Sequence, residues 1–146
     1  MNHMDIEDYH FKNSAIPYTE SRTREECLCL MRADIERYGD FVLSAVTGDF
    51  GAEITALYKF AVHLSAPLEL RVQRVKDRAY AQHGERVLPG GDMYAQSETF
   101  TDFVTTRDLS RIDRWAAELT CPILYADGTK DIAENAQRIA TEYARL

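Results

Sequence analysis

Short apolar runs recur along the chain, and most of them end in polar or acidic residues. The clearest runs are Phe41–Val46, Tyr58–Leu64 and Ile123–Ala126, and a shorter one, His3–Glu7, ends in acids. Continuous apolar stretches of this length are typical of strands that are covered on both faces, as in a parallel sheet. The pattern therefore predicts four main parallel strands.

Helical patterns alternate with these strands. Thr23 and Glu26 form a capping-box pair, which predicts a helix that begins there and ends near Gly39. We expect further helices over residues 67–83, 92–104 and 110–119 and from Lys130 onward. The last of them has Thr129 before it as a cap. This alternation predicts one α/β domain over residues 1–146.

The ends of the predicted strands carry candidate site residues, because parallel α/β sheets bind ligands outside the carboxyl ends of their strands. That rule directs attention to residues 5–8, 47–49 and 127–129. Structural roles are equally open for the acids among them. Asp5 or Asp8 could cap the next turn, and Asp49 could belong to a tight turn.

The helix predicted over residues 67–83 carries a stripe of arginines. Arg71, Arg74 and Arg78 recur at spacings of three and four and so share one helix face. A glycine-rich loop follows and contains Arg86. Guanidinium groups arranged in this way suit polyanions such as phosphates. The alternative is a solvated charged face whose arginines pair with nearby acids such as Asp77.

Composition narrows the class of protein. A chain of 146 residues with a formal charge of −7 lacks the basic face of a nucleic-acid binder. Residues 1–10 are polar and acidic, and no apolar run approaches membrane length, so we expect a cytoplasmic protein without a membrane partner. The cysteines and histidines show no metal-ligand spacing.

The arginine segment is also where a family resemblance becomes visible. Residues 71–78, Arg86 and residues 88–94 resemble the lid of small P-loop kinases of the adenylate-kinase-like group. This group includes shikimate, nucleoside and nucleotide kinases and proteins described as AAA-family ATPases. Residues 4–8, 46–49 and 127–135 are similar, in order, to the second strand, the third strand and the last strand-to-helix turn of those kinases.

The resemblance implies a three-layer parallel-sheet P-loop NTPase fold with a helical lid over about residues 67–104. It also implies catalysis by electrostatic stabilisation of the transferring phosphoryl group. By position, Arg74, Arg78 and Arg86 would contact phosphate, and Asp49 would orient the acceptor or a magnesium-bound water.

The other implied roles concern the two substrates. Asp5 and Asp8 would face the phosphate acceptor or magnesium. Asp127, Gly128 and Thr129 would lie against the adenine ring. A complete protein of this kind would use ATP and Mg²⁺ and a small-molecule acceptor, and no residue of this chain is assigned as a direct metal ligand.

One part of the family pattern is missing from this sequence. P-loop kinases open with a strand, then GxxxxGK[ST], then a helix, and this chain contains no Gly-Lys pair. In the family that first strand lies between the strands matched by Phe41–Val46 and Tyr58–Leu64. Without it, these two strands would expose edges or pair directly. An internal methionine taken as the start, a fragment, or a degenerate protein would each explain this.

The sequence therefore leaves alternatives open on function. The leading expectation is ATP-dependent phosphoryl transfer to a nucleoside, a nucleotide or another small hydroxyl compound, with this chain as an N-terminally truncated, inactive form that binds no cofactor tightly. The main alternative is a non-catalytic module that binds an anion, a nucleotide or a protein. A regulatory ATPase without a small-molecule acceptor is a third.

Overall fold

The computed structural model describes every residue from Met1 to Leu146, and the chain divides into two compact units. The first unit is Met1–Leu57 and the second is Tyr58–Leu146. Each unit has mixed α/β structure and contains one small parallel sheet. The prediction of an α/β protein with parallel strands is therefore confirmed. The strands, however, form two two-stranded sheets.

The first unit contains a pair of parallel strands and three helices. They are β1 (Asn2–Asp5), α1 (Ile6–His10), α2 (Arg24–Tyr38), β2 (Phe41–Ser44) and α3 (Ala52–Thr55). β1 pairs with β2 in parallel, with Met4 opposite Leu43. Met4, Met31 and Ile54 are fully buried and form the centre of this unit's core.

Local sequence signals fix helix α2. The capping box of Thr23 and Glu26 is present in both directions, and the helix ends at Gly39 with φ of 72°. Both predictions are confirmed. Tyr9, from α1, is buried beside α2 and donates a hydrogen bond of 2.7 Å to Asp34. Burial, followed by this bond, raises the pKa of the Tyr9 hydroxyl far above its ordinary value.

The second unit contains the other strand pair and the arginine-bearing helix. Its elements are β3 (Ala61–Ser65), α4 (Leu68–His83), a 3₁₀ turn (Gly84–Val87), α5 (Tyr94–Thr106), α6 (Ser110–Glu118), β4 (Ile123–Asp127) and α7 (Ile132–Tyr143). β3 pairs with β4 in parallel, with Ser65 opposite Asp127. α4 contacts α5, and Met93, Val104, Ala116 and Ala126 are buried.

Five expectations at the level of elements need correction. β2 ends at Ser44 instead of Val46, and β3 begins at Ala61 instead of Tyr58. β1 ends at Asp5, two residues early, because the Asp5 side chain accepts from Glu7 N and begins α1. α7 is capped by Asp131, which accepts from the amides of Ala133 and Glu134, whereas Thr129 bonds elsewhere. The strands are not covered on both faces, since Val42, Leu64 and Tyr125 are 50%, 60% and 62% exposed.

β2 and β3 are the strands for which the sequence predicted exposed edges or direct pairing. β2 pairs with β1 only, and β3 pairs with β4 only. Each of the two strands therefore keeps one edge without a strand partner in its own sheet. None of the helices has both the length and the apolar character that are needed to cross a membrane.

Candidate functional site

The predicted site residues are divided between the two units. The predicted site residues of the first unit are Asp5, Asp8 and Asp49. Those of the second unit are Arg74, Arg78, Arg86, Asp127, Gly128 and Thr129.

Asp5 and Asp8 occupy neighbouring positions with different surroundings. The Asp5 carboxylate accepts a hydrogen bond of 3.0 Å from Glu7 N, so it has the capping role that the sequence left open. Asp8 is exposed on α1, and only its backbone oxygen is bonded, by Arg22. Its side chain lines an open cleft of ≈ 390 Å³ together with Tyr9 and Asp34. Asp8 is therefore available to a ligand, whereas Asp5 is engaged.

Asp49 lies in the loop after β2, next to the buried Gly48. Its backbone oxygen accepts a hydrogen bond of 3.3 Å from Arg24 Nη2, which ties the loop to α2. The carboxylate makes no hydrogen bond or ion pair and is exposed. It can thus bind a hydrated cation or a hydroxyl group without first breaking an internal contact.

The turn after β4 is closed by its own hydrogen bonds. The Asp127 carboxylate accepts from both the amide and the hydroxyl of Thr129, at 2.9 and 2.7 Å. The hydroxyl contact is the larger cause of a lowered pKa at Asp127. Gly128 N–H donates to Ser65 O at 2.7 Å. A Cβ at Gly128 would lie 2.8 Å from that oxygen, so the close approach of β3 requires glycine.

Helix α4 reaches this turn through one member of the arginine stripe. Arg74 Nη1 donates a hydrogen bond of 2.7 Å to Gly128 O. Because Gly128 N–H and O are both engaged, the turn offers a ligand mainly a packing surface. Arg78, one helical turn further along α4, is exposed and makes no hydrogen bond or ion pair. Of the two, Arg78 is the one whose guanidinium is fully available.

Arg86 is held inside the loop that follows α4. Its Nε and Nη2 donate to the two carboxylate oxygens of Asp92 at 2.9 and 2.8 Å. The pairing lowers the pKa of Asp92 and raises that of Arg86. Gly91 allows the loop to fold this tightly, since a Cβ there would lie 2.2 Å from Arg86 O. The sequence suggested other acids as alternative partners for the stripe, and it missed Asp92.

Arg107 is a further candidate that the sequence did not single out. It ends helix α5, and its Nε is buried without a hydrogen-bond partner. On α4, Nη1 of Arg71 is in the same situation, although Arg71 Nε donates to Ala66 O at 3.1 Å. Burial lowers the pKa of Arg107, and the charge of Arg71 lowers it further. A buried donor without a partner costs about 1–3 kcal/mol, so an acceptor that reached either atom would remove that cost.

Neither arginine of this pair has a carboxylate partner, and the neighbouring Asp108 bonds to Ser110 instead. Arg107 lies outside the arginine stripe of α4 and outside the segments that resemble the kinases, so no signal in the sequence pointed to it. Elsewhere, no group of three or more His, Cys, Asp or Glu side chains is arranged to hold a metal ion.

Comparisons with known proteins give one informative match. The chain is 25% identical over 145 residues to an uncharacterized protein, YqaC, of Bacillus subtilis (strain 168). The aligned region covers 94% of this chain and 80% of the relative. No protein-family model matches the chain, and no solved structure matches it. The similarity extends over both units, and the relative's printed name carries no activity.

Proposed function

We propose that this chain takes part in ATP-dependent phosphoryl transfer to a small hydroxyl compound such as a nucleoside or nucleotide. The pairing of the strands carries the proposal. β1 pairs with β2 in one two-stranded sheet and β3 pairs with β4 in another, both in parallel, so β2 and β3 each have one edge without a strand partner in their own sheet. The resemblance to adenylate-kinase-like proteins implies one more strand between β2 and β3. A free edge on each of these strands is what that strand order requires.

The arginines of the second unit would supply the positive charge. In phosphoryl transfer, positioning and electrostatic stabilisation do most of the work, and arginine is well suited to both. Arg78 fits this role best, because its guanidinium has no internal partner. Arg86 would have to leave Asp92 before it could bind phosphate, whereas Arg74 would anchor α4 to the turn at Gly128.

Candidate contacts for ATP and for magnesium are present in the second and the first unit, each taken by itself. The turn at residues 127–129 would pack against the adenine ring, and the unpaired Asp49 carboxylate is suited to a water molecule of hydrated Mg²⁺. The β- and γ-phosphates need a cradle of backbone amides and a lysine, which GxxxxGK[ST] provides. This sequence contains no such motif. Turnover therefore requires a phosphate-binding loop from residues outside this sequence.

A second candidate function is phosphate or nucleotide binding without turnover. The observation that favours it is the combination of unpartnered arginines in the second unit with the absence of GxxxxGK[ST]. Electrostatic binding of an anion needs donors and charge, but it does not need the loop that aligns ATP for transfer.

Phosphorus NMR of Mg·ATP tests the two candidates together. We expect no ATP consumption by this chain alone, and acceptor-dependent formation of ADP by a longer form that carries a GxxxxGK[ST] segment ahead of β1. If neither form consumes ATP with nucleosides, nucleotides or small alcohols but both bind phosphate, the non-catalytic function replaces the first proposal.

A further inference from the structure

Arg71 and Arg107 are two arginines of the second unit that each have a buried donor atom without a partner and make no ion pair. They come from α4 and from the end of α5, two helices that contact each other. We infer that these two arginines form a binding site for a phosphoryl group. The site lies within Tyr58–Leu146, and it does not rest on the proposed phosphoryl transfer.

The positions of the two side chains are fixed by their own contacts. Arg71 Nε donates to Ala66 O, the carbonyl two residues before α4 begins. The Arg107 guanidinium lies 5.8 Å from the centre of the Phe103 ring. The backbone N–H of Arg107 donates to the backbone oxygen of Phe103. Both arginines are partly buried. These contacts restrict both side chains before an anion binds, most of all that of Arg71, and so reduce the entropy lost on binding.

The unused hydrogen-bonding capacity points to an anion. Nη1 of Arg71 and Nε of Arg107 are buried donors without a protein acceptor. Guanidinium groups stay protonated at physiological pH, so both side chains keep their positive charge. A solvated surface stripe would direct its donors into water or pair them with acids. This pair does neither at the two buried atoms.

The charge and geometry favour a phosphoryl group over a carboxylate. A phosphoryl group carries close to two negative charges at neutral pH and has three strong acceptor oxygens. It can neutralise both arginines and accept from both of their planar forks. A carboxylate carries one charge and would leave part of the pair uncompensated. The group could belong to inorganic phosphate or to a phosphorylated small molecule, because both present the same chemistry.

The test is calorimetric titration of this chain with inorganic phosphate, pyrophosphate and AMP, at constant ionic strength set with chloride. The variants are Arg107→Gln, Arg107→Lys and the control Arg111→Gln, an exposed arginine on α6 that has no partner. The unfolding temperature of each variant, measured without phosphate, shows that it is folded.

We expect at least one of the three ligands to bind the natural chain, and Arg107→Gln to weaken its binding at least about tenfold, the scale of one lost charge-assisted hydrogen bond. Arg107→Lys keeps the charge but loses the fork, so its loss should be smaller. Arg111→Gln should bind as the natural chain does. Tighter binding of AMP than of phosphate would identify a phosphorylated molecule as the source.

NMR of the arginine side chains gives an independent readout. The Nε–H signals of Arg71 and Arg107 should shift on addition of the ligand, whereas that of Arg111 should not. Two results would overturn the inference: no binding of any of the three ligands by the folded natural chain, or equal affinity in folded Arg107→Gln and Arg111→Gln.

Discussion

Arg74 and Gly128 join the arginine helix to the turn after β4, through a hydrogen bond of 2.7 Å from Nη1 to the Gly128 carbonyl oxygen. Gly128 in turn donates its N–H to Ser65 O on β3. One arginine of the stripe is thus committed to holding the turn, whereas Arg78, on the same helix, remains unpaired. The stripe combines a structural arginine with an available one.

Alanine substitution should separate these two arginines. Arg74→Ala leaves the carbonyl of the buried Gly128 without its partner, and we expect it to lower the free energy of unfolding by about 1–2 kcal/mol. Arg78→Ala removes an exposed, unpaired side chain from the same helix and should change stability little. Urea denaturation measures both. Equal losses in the two variants would show that the bond to Gly128 is unimportant in solution.

A substitution at Gly128 tests the same contact from the other side. A Cβ there meets Ser65 O at 2.8 Å, so Gly128→Ala should displace the turn and cost about 1–3 kcal/mol. The displaced carbonyl can no longer accept from Arg74, so the effects of Gly128→Ala and Arg74→Ala should be less than additive. Gly90→Ala is the control: it costs stability through the φ of 91° at Gly90, but not through a contact with the turn, since a Cβ there meets nothing within 4 Å. Its effect should add fully to that of Arg74→Ala.

Local signals in the sequence predicted most helices well, because they depend on neighbouring residues. The capping box at Thr23 and the terminal Gly39 are examples. The end of β1 was wrong because Asp5 is both the last residue of a strand and the cap of a helix, and an apolar Ile6 follows it. Apolar composition also gave no information on which strand faces are covered, as the exposed Leu64 shows.

The candidate site was predictable only in part, for a related reason. The spacing along α4 predicted that Arg71, Arg74 and Arg78 share a helix face, since that depends on one helix alone. The approach of Arg107 to Arg71 depends on how α5 packs against α4, and sequence spacing carries no information on it. The pairing of Arg86 with Asp92 depends on the path of a glycine-containing loop.

Acid titration should reveal the closed turn at Asp127. Its hydrogen bonds with Thr129 place the folded pKa below that of the unfolded chain, about 3.9. The carboxylate therefore contributes stability above the unfolded pKa and loses it as the pH falls through the folded value. Thr129→Val removes the hydroxyl donor, so the pKa of Asp127 should rise towards its ordinary value, as measured by NMR of the carboxyl carbon.

The control for this titration is Thr106→Val, because the hydroxyl of Thr106 donates to a backbone carbonyl, that of Asp102. It should leave the pKa of Asp127 unchanged. An unchanged pKa in Thr129→Val as well would mean that the hydroxyl contact does not persist in solution.

The ion pair between Arg86 and Asp92 gives a test of the role of Arg86. If Arg86 binds phosphate, Asp92 competes with the ligand, so Asp92→Asn should strengthen phosphate binding. Asp77→Asn on α4 is the control, because Asp77 bonds to Gln73 and to no arginine. Calorimetric titration at constant ionic strength measures both. An equal response of the two variants would leave Arg86 as a residue that only shapes the loop.

The most direct test of phosphoryl transfer compares two arginines in a form of the protein extended by a GxxxxGK[ST] segment ahead of β1. We expect Arg78→Ala to lower kcat for acceptor-dependent ADP formation at least about a hundredfold, the scale of one lost transition-state contact. Arg111→Ala, outside the stripe, should leave kcat nearly unchanged. Equal, small effects of the two substitutions, or no acceptor-dependent transfer by the folded longer form, would contradict the proposed function.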